Sequence, residues 1–388
     1  MISKHKENLK SDQQNHLTIT QRTNLGSFYT PNELVKLVTK AIEPYCINKN
    51  VVILDNSAGY GAFLDELGAG LNIKVNDIDQ FAYQKLKSKF NDVYNINALT
   101  NVKRDNYQIK QDDFLIIIGN PPYNDRFSYA KQDQKEKSII IDDKLKSRDL
   151  GISFLRSYCD LKADIVCILH PFAYLAKMAN FKQLRDFTKQ YRLKESVIFS
   201  SALFPDTSKK IQFPICMALY IKDNTGMDYN YVKQFDFRIL DGTSKFSLAK
   251  LNSIANYVNK YPRKEPSPID LYFFTLRDIN ALKRNQTFLK QINSGSLPVT
   301  HDTLYWYSYI DVFKEFIKEL PYYYGNCDVF IDFNEFIKIK ESFFMYAYDK
   351  NQILALNSYA TKLYQDLQPS SINFMQQVKS YFKNLFQN

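Results

Sequence analysis

The sequence has few of the residues that build metal sites and disulfide frameworks. Its 388 residues include four histidines and five cysteines, the latter widely spaced at positions 46, 159, 167, 216 and 327 with no CxxC pair. Zinc sites need closely spaced Cys and His ligands, and disulfide-stapled domains need paired cysteines. We therefore predict no metal site, and we interpret the cysteines as small buried side chains in a reducing compartment.

Long apolar runs are also missing. The longest, residues 114–118 and 215–221, are far shorter than the roughly 20 residues that cross a bilayer. Residues 1–14 are polar and lack the apolar stretch and small-residue cleavage site of a secretory signal. The sequence thus predicts a cytoplasmic protein that does not associate with a membrane.

The bulk composition is that of a folded protein with a basic surface. Apolar residues make up 45% of the chain and charged residues 24%, which suits a protein with a sizeable core. A chain of 388 residues exceeds the length at which one core usually stops growing, so two domains are expected. Lysine and arginine outnumber aspartate and glutamate by 51 to 41, for a formal net charge of +10. This excess favours a polyanionic partner.

Strand-like and helix-like segments alternate through the first half of the chain. Apolar, β-branched runs predict strands, and apolar residues three and four positions apart predict helices. The predicted strands are residues 51–54, 73–75, 92–97, 114–118, 164–170, 195–200 and 215–222, with helices near 31–42, 63–67, 81–90 and 154–159. This alternation predicts an α/β fold with a mostly parallel sheet, whose ligands bind at the carboxyl ends of the strands.

The character of the sequence changes after about residue 225. Residues 1–22 are polar and are interpreted as a flexible N-terminal arm, whereas residues 23–225 hold the alternating pattern and form the first predicted domain. Residues 231–290 carry 11 Lys or Arg and five Asp or Glu, interleaved with aromatic residues. Residues 226–388 are therefore predicted to form a second, smaller domain.

The first predicted helix has a recognisable start. Thr30 supplies a hydroxyl that can cap the helix, Pro31 suits its first position, and Glu33 completes a capping box. The sequence thus predicts a helix that begins after Thr30.

A glycine-rich loop follows the first predicted strand. Gly59 and Gly61 come shortly after Asp55, and a side chain at either glycine would obstruct a ligand that approaches the backbone. The second strand ends at Asp77, near the ~20-residue offset of an acidic residue that accepts ribose hydroxyls, and Ile78 beside it can pack on an adenine ring. A βα turn without a ligand is the competing interpretation of the loop alone. The loop and the acidic residue together favour a nucleotide-like cofactor.

The fourth predicted strand runs directly into Asn120, Pro121, Pro122 and Tyr123. The two prolines stiffen the loop and remove backbone donors, which leaves the Asn120 amide oxygen and the Pro121 carbonyl as acceptors for one NH2 group. Two such hydrogen bonds would direct the nitrogen lone pair toward an electrophilic methyl group. Tyr123 supplies a flat ring that can stack on a planar base.

These motifs together resemble the amino-methyltransferases of DNA from restriction-modification systems. Residues 55–63 resemble the family's Asp-Pro-Ala/Ser-x-Gly-x-Gly-x-Phe pattern, with Asn56 in place of proline, and residues 120–123 match its catalytic tetrapeptide at all four positions. Residues 26–31 resemble the segment that closes over the methionine end of the cofactor. The cofactor-binding residues that the resemblance implies are Phe28, Tyr29, Thr30, Pro31, Asp55, Ser57, Gly59, Gly61, Asp77, Ile78 and Asn97.

The resemblance implies both a fold and an activity. The fold is a Rossmann-like S-adenosylmethionine-dependent methyltransferase domain with a seven-stranded, mostly parallel sheet. The activity is that of a site-specific, adenine-specific DNA-methyltransferase, which methylates N6 of an adenine swung out of double-stranded DNA. The order of the segments is similar to the gamma arrangement, in which the C-terminal remainder recognises the DNA target. By this resemblance residues 226–388 recognise the target, Tyr123 and Phe204 contact the extruded adenine, and a separate restriction endonuclease is an implied partner.

Two other functions remain open. Methyltransferases of ribosomal RNA guanine and of release-factor glutamine also use Asn-Pro-Pro-Tyr, although residues 28–31 and the basic C-terminal part argue against them. An inactive DNA-binding specificity subunit is the third interpretation. His170 is a candidate general base, but we interpret it as a strand-end histidine with a satisfied hydrogen bond, since the resembling family needs no base.

Overall fold

The computed structural model describes residues 30–47, 50–68, 70–123, 140–205, 207, 212–242, 244–367 and 373–387. The chain divides into two compact units, one ending at Leu248 and the other beginning at Ala249. The sequence pattern placed this division near residue 225. The structural division falls later because two short strands between residues 237 and 246 extend the large sheet of the first unit.

Among the described residues, nine strands of the first unit form one sheet. They are β1 (Val51–Asp55), β2 (Asn72–Asn76), β3 (Val93–Tyr94), β4 (Phe114–Gly119), β5 (Ile165–Pro171), β6 (Tyr191–Ser200), β7 (Pro214–Lys222), β8 (Phe237–Ile239) and β9 (Lys245–Phe246). Their order is β3-β2-β1-β4-β5-β7-β6-β8-β9. Strands β1 to β5 pair in parallel, whereas β7 is antiparallel to both β5 and β6. The predicted seven-stranded, mostly parallel sheet is confirmed, and β8 and β9 extend it at one edge.

Helices of the first unit cover this sheet. They are α1 (Asn32–Ile42), α2 (Gln80–Lys87), α3 (Leu150–Asp160), α4 (Ala173–Ala176), α5 (Met178–Gln183), α6 (Asp186–Gln190) and α7 (Tyr229–Gln234). Helix α1 buries Leu34, Val38 and Ile42, which repeat at helical spacing, in one core cluster with Ile53 of β1 and Ile116 of β4. Each such side chain contributes about 1.5–3 kcal/mol on burial. The apolar face of α1 is thereby fixed on the sheet.

Three local predictions were wrong. Of the predicted helix over residues 63–67, only Leu64–Glu66 is helical, and it is a 3-10 helix, because the glycine turn occupies the chain up to Phe63. Thr30 does not cap α1, because Pro31 is still extended, with ψ of 146°, and itself holds the N-cap position without a side-chain cap bond. The third strand keeps only the two residues of β3.

The parallel pairing of β1, β2 and β4 positions the candidate site. Leu54 pairs with Ile117 of β4, and Asp55 pairs with Val75 of β2. All five residues of β1 are buried, as expected for a strand covered on both faces. The loops that follow these three strands therefore emerge at the same edge of the sheet.

The second unit contains a small sheet and a group of helices. Its strands are β10 (Tyr272–Phe274), β11 (Phe288–Leu289) and β12 (Ser296–Pro298), and its helices are α8 (Ile279–Leu282), α9 (Leu304–Phe316), α10 (Phe333–Lys350), α11 (Gln352–Ala355), α12 (Ser358–Leu367) and α13 (Phe374–Gln387). Aromatic rings fill its core: Tyr309 lies 5.0 Å from Phe343, and Phe382 lies 5.6 Å from Phe343, between ring centroids. In the described parts of the whole chain, no helix is both long and apolar enough to span a membrane.

Candidate active site

The glycine loop turns back sharply at the end of β1. Gly59 and Gly61 both have left-handed backbones, with φ of +55° and +83°. A Cβ at Gly61 would lie 3.0 Å from the Phe90 ring and 3.1 Å from the Leu86 side chain. Both the conformation and the space therefore require glycine at position 61.

Asp77 ties this loop to the end of β2. Its Oδ2 accepts the Gly59 N–H at 2.7 Å, and its Oδ1 accepts the Asp79 N–H at 2.8 Å. Burial raises the pKa of Asp77 to about 6, although both backbone hydrogen bonds act in the opposite direction. Each carboxylate oxygen keeps a further lone pair, so the side chain can still accept two hydroxyl groups.

Asn76 fixes the two neighbouring loops, a role that the sequence pattern did not reveal. Its side-chain amide donates to the Asn56 carbonyl at 3.0 Å and to the Ile96 carbonyl at 3.1 Å, and its Oδ1 accepts the Ile96 N–H at 3.0 Å. The side chain is 1% exposed. Its only sequence signal is a polar residue at the end of a buried strand.

Asp55 connects the glycine loop to the start of residues 120–123, the predicted catalytic loop. Its Oδ1 accepts the Ser57 N–H at 3.1 Å and lies 3.0 Å from where a Cβ of Gly119 would be. Burial raises the pKa of Asp55 to about 8, opposed by the Ser57 hydrogen bond and reinforced by the negative charge of Asp77. The contact with Gly119 brings the ends of β1 and β4 together.

The catalytic loop contacts the segment before α1. The Asn120 side-chain amide donates to the Thr30 hydroxyl at 3.2 Å, and Thr30 is 4% exposed. This bond uses the nitrogen of the Asn120 amide. The Asn120 Oδ1 is buried and has no hydrogen-bond partner among the described residues. An acceptor is thus held at the end of β4, next to the buried Pro121.

At the ends of β1 and β4 and in the loops that follow them, three buried oxygen atoms lack hydrogen-bond partners within the described residues. They are Asp55 Oδ2, Ser57 Oγ and Asn120 Oδ1. A buried polar group without a partner costs about 1–3 kcal/mol, so native proteins rarely keep several together unless a ligand satisfies them. Their grouping at the carboxyl edge of the sheet is what a polar ligand site requires.

An apolar rim lies beside Asp77. The side chain of Ile78 is 55% exposed and that of Phe81 is 47% exposed, which is unusual for large apolar residues. The ring of Tyr60 lies 6.2 Å from that of Phe81. Sequence reasoning identified Ile78 but missed Phe81 and Tyr60. These three residues present the kind of surface on which a purine ring packs.

The other predicted site residues are placed differently. Asn97 is engaged within the protein, since its Oδ1 accepts the Leu99 N–H at 3.0 Å and its amide donates to the Ile140 carbonyl at 2.7 Å. Phe204 is fully buried, with its ring 6.3 Å from that of Phe199, which is a packing position. Phe28 and Tyr29 lie outside the described residues.

His170 is held by hydrogen bonds at both ring nitrogens. Its Nε2 lies 2.7 Å from the Tyr220 hydroxyl and its Nδ1 lies 2.9 Å from the Pro171 carbonyl oxygen. Burial lowers the pKa of His170 to about 4. The side chain is fully buried, and it is the satisfied strand-end histidine that the sequence predicted. Among the described residues, no group of His, Cys, Asp or Glu could hold a metal ion.

Solved structures similar to this chain include methyltransferases of different substrates. The EcoKI type I restriction enzyme M protein has a TM-score of 0.41 and 14% identity, covering 62% of this chain and 56% of its own. The type I restriction-modification methyltransferase subunit from Streptococcus thermophilus has a TM-score of 0.36 and 15% identity, with coverages of 51% and 45%. The 23S rRNA methyltransferase ErmE has a TM-score of 0.33 and 12% identity, with coverages of 52% and 71%. The chain thus spans about half the length of the type I subunits that it matches.

Sequence comparison gives a more specific result. No curated protein matches the chain. A family model described as Eco57I restriction-modification methylase matches residues 14–204, just under half of the chain. That stretch contains the glycine loop, Asp77 and the catalytic loop described above. Over residues 14–204, the chain is therefore similar to the Eco57I restriction-modification methylases.

Proposed function

We propose that the protein transfers a methyl group from S-adenosylmethionine to the N6 amine of an adenine swung out of double-stranded DNA. The buried Asn120 Oδ1 carries this proposal, because it is an acceptor without a described partner at the carboxyl end of β4. An exocyclic amine supplies the donor that this acceptor needs. The match to a restriction-modification methylase family supports DNA as the substrate.

The residues at the edge of the sheet fit the proposed cofactor. Asp77 would accept the ribose hydroxyls, Ile78 and Phe81 would pack on the adenine ring, and the turn at Gly59 and Gly61 would follow the cofactor between them. The cofactor residues proposed from resemblance alone, Phe28 and Tyr29, would close the methionine end. When bound, S-adenosylmethionine supplies an electrophilic methyl group.

The catalytic loop would orient the target amine. Asn120 Oδ1 accepts one N–H of the amine, and the Pro121 carbonyl accepts the other, so the nitrogen lone pair points away from both. Thr30 holds the Asn120 amide in the rotation that presents the oxygen. Tyr123 stacks on the base; burial raises the pKa of Tyr123, so the ring stays uncharged at neutral pH. After transfer the amine loses a proton, and no side chain is required as a strong base.

Base extrusion costs a few kcal/mol, part of which stacking on Tyr123 would recover. In the proposed division of labour, residues 226–388 recognise the target sequence, and basic residues between 231 and 290 bind phosphates. Binding should then weaken steeply as the salt concentration rises. A separate restriction endonuclease is the partner whose cleavage such methylation would block.

The proposal is tested by supplying labelled S-adenosylmethionine with unmethylated duplex DNA, ribosomal RNA or a peptide release factor. We expect label in DNA alone. Asn120→Ala should abolish transfer while the cofactor affinity, measured by calorimetry, changes little. Asn72→Ala is the matched control, because Asn72 is exposed at the amino end of β2, away from the loops of the site.

Other outcomes separate the competing functions. Label in RNA or in the release factor alone would contradict DNA as the substrate. Cofactor binding with no label in any of the three would refute the proposal, and DNA binding without cofactor binding would favour an inactive specificity subunit.

A further inference from the structure

Tyr123 packs against the first turn of α3 at a point where only glycine fits. A Cβ at Gly151 would lie 3.1 Å from the Cβ of Tyr123 and 2.5 Å from the hydroxyl oxygen of Tyr174. The backbone of Gly151 is not left-handed, so the requirement is one of space. The close approach of Tyr123 to α3 therefore depends on the missing side chain at position 151.

One carboxylate oxygen holds this turn in place. Asp149 Oδ1 accepts the Gly151 N–H at 2.9 Å and also accepts a short hydrogen bond from the Tyr174 hydroxyl. Asp149 is thus the N-cap of α3 and the anchor of a tyrosine that is 1% exposed. Removing an N-cap side chain typically destabilises a helix start by about 0.5–2 kcal/mol. The position of Gly151 is consequently fixed by the hydrogen bond from its N–H to Asp149 and by the close contact with the Tyr174 hydroxyl.

Tyr174 is in turn supported by His170, which has no role in the proposed transfer. The two rings are stacked, with centroids 5.1 Å apart and an angle of 14° between their planes. The Nε2 atom of His170 lies 2.7 Å from the Tyr220 hydroxyl, within hydrogen-bond distance. Burial raises the pKa of Tyr174 well above its usual value and lowers that of His170. Both rings therefore stay neutral at physiological pH, so the stacking of His170 on Tyr174 does not change with protonation.

We propose that Gly151, Asp149 and Tyr174 are positioning residues for the reaction, because together they determine the position of the Tyr123 ring. This inference rests on the function proposed above. The residues do not touch the cofactor or the reacting atoms in this scheme. They determine how well the extruded base is stacked, and so how often its amine is aligned with Asn120.

The test is a double-mutant cycle on duplex DNA that combines Gly151→Ala with Tyr123→Ala. Gly151→Ala should lower kcat about 10-fold, since displacement of a catalytic group by a fraction of an ångström has effects of this size. Tyr123→Ala should lower kcat about 10- to 100-fold through lost stacking. In the Tyr123→Ala background the glycine substitution should have almost no further effect, because the Cβ that it displaces remains but no longer carries the stacking ring. Cofactor affinity should stay within about twofold throughout.

Gly68→Ala is the matched control. Gly68 is exposed, and apart from its own atoms and those of its two chain neighbours no atom of the described residues lies within 4 Å of where its Cβ would be. Its kcat should equal that of the wild type. If Gly151→Ala does not fold, the same cycle is run in a Tyr174→Phe background, which removes the hydroxyl at 2.5 Å and leaves the Tyr123 contact.

The outcomes distinguish the two proposals. Additive effects of the two substitutions, or a loss of cofactor affinity in Gly151→Ala, would overturn the positioning role while leaving the proposed function intact. No transfer to DNA by the wild type, with cofactor bound, would overturn both. A double variant with the kcat of Tyr123→Ala alone would support the positioning role.

Discussion

Replacing Gly119 with alanine puts a methyl group into the junction between β4 and the catalytic loop. Gly119 has φ of +148°, a region that residues with a Cβ rarely adopt, and its Cβ would lie 3.0 Å from Asp55 Oδ1. The backbone strain costs about 1–3 kcal/mol. Displacing the carboxylate would also break its hydrogen bond with the Ser57 N–H, a loss of about 1 kcal/mol. We therefore expect Gly119→Ala to lower the free energy of unfolding by about 2–4 kcal/mol.

Urea denaturation of the two purified proteins measures this difference, with Gly68→Ala as the control. The control should differ from the wild type by less than about 0.5 kcal/mol, because its site is exposed and open. Cofactor affinity should also fall in Gly119→Ala, since the displaced Asp55 carries the glycine loop with it. If Gly119→Ala were as stable as the control, neither the left-handed backbone of Gly119 nor its close approach to Asp55 would contribute to stability.

Three further predictions concern the polar groups of the site. Thr30→Val should lower kcat about 10-fold, because the Asn120 amide loses the hydrogen bond that orients it, whereas Thr30→Ser should keep most of the activity. Equal rates for the two variants in single-turnover assays would contradict this orienting role of Thr30. Cofactor affinity should fall as the pH drops from 7 through about 6, because protonation removes acceptor capacity from Asp77; calorimetry showing no such fall would argue against its role. The folded-state pKa of Asp55 is about 8, above the unfolded value, so the folded state binds the extra proton and stability falls as the pH rises toward 8. Between pH 6.5 and 8, Asp55→Asn should remove a slope of up to about 1.4 kcal/mol per pH unit in the free energy of unfolding, and identical slopes in the two proteins would refute this cause.

Much of the sheet could be predicted because the local sequence of each strand indicates its structure. The run from Phe114 to Ile118 is apolar and β-branched, and it became β4 with one residue added. The glycine loop and Asp77 could likewise be placed, since a turn of this kind needs glycine wherever φ is positive. Local chemistry decided these features.

What the sequence did not reveal depends on contacts between distant segments. The hydrogen bond from Asn120 to Thr30 joins residues 90 positions apart. The close contact between Tyr123 and Gly151 likewise depends on how α3 packs. The antiparallel placement of β7 between β5 and β6 also follows from long-range pairing. No periodicity or motif encodes such contacts. For the same reason Thr30 was predicted to cap the helix, whereas its hydroxyl accepts a hydrogen bond from Asn120.

The claim that Asn120 presents an acceptor to an adenine amine is tested most directly by identifying the methylated nucleoside. Unmethylated duplex DNA is incubated with S-adenosylmethionine and either the wild type or Asn120→Ala, digested to nucleosides and analysed by mass spectrometry. We predict N6-methyldeoxyadenosine from the wild type and none from the variant. A methyl group on another base, or N6-methyldeoxyadenosine from the variant in wild-type amounts, would contradict the account.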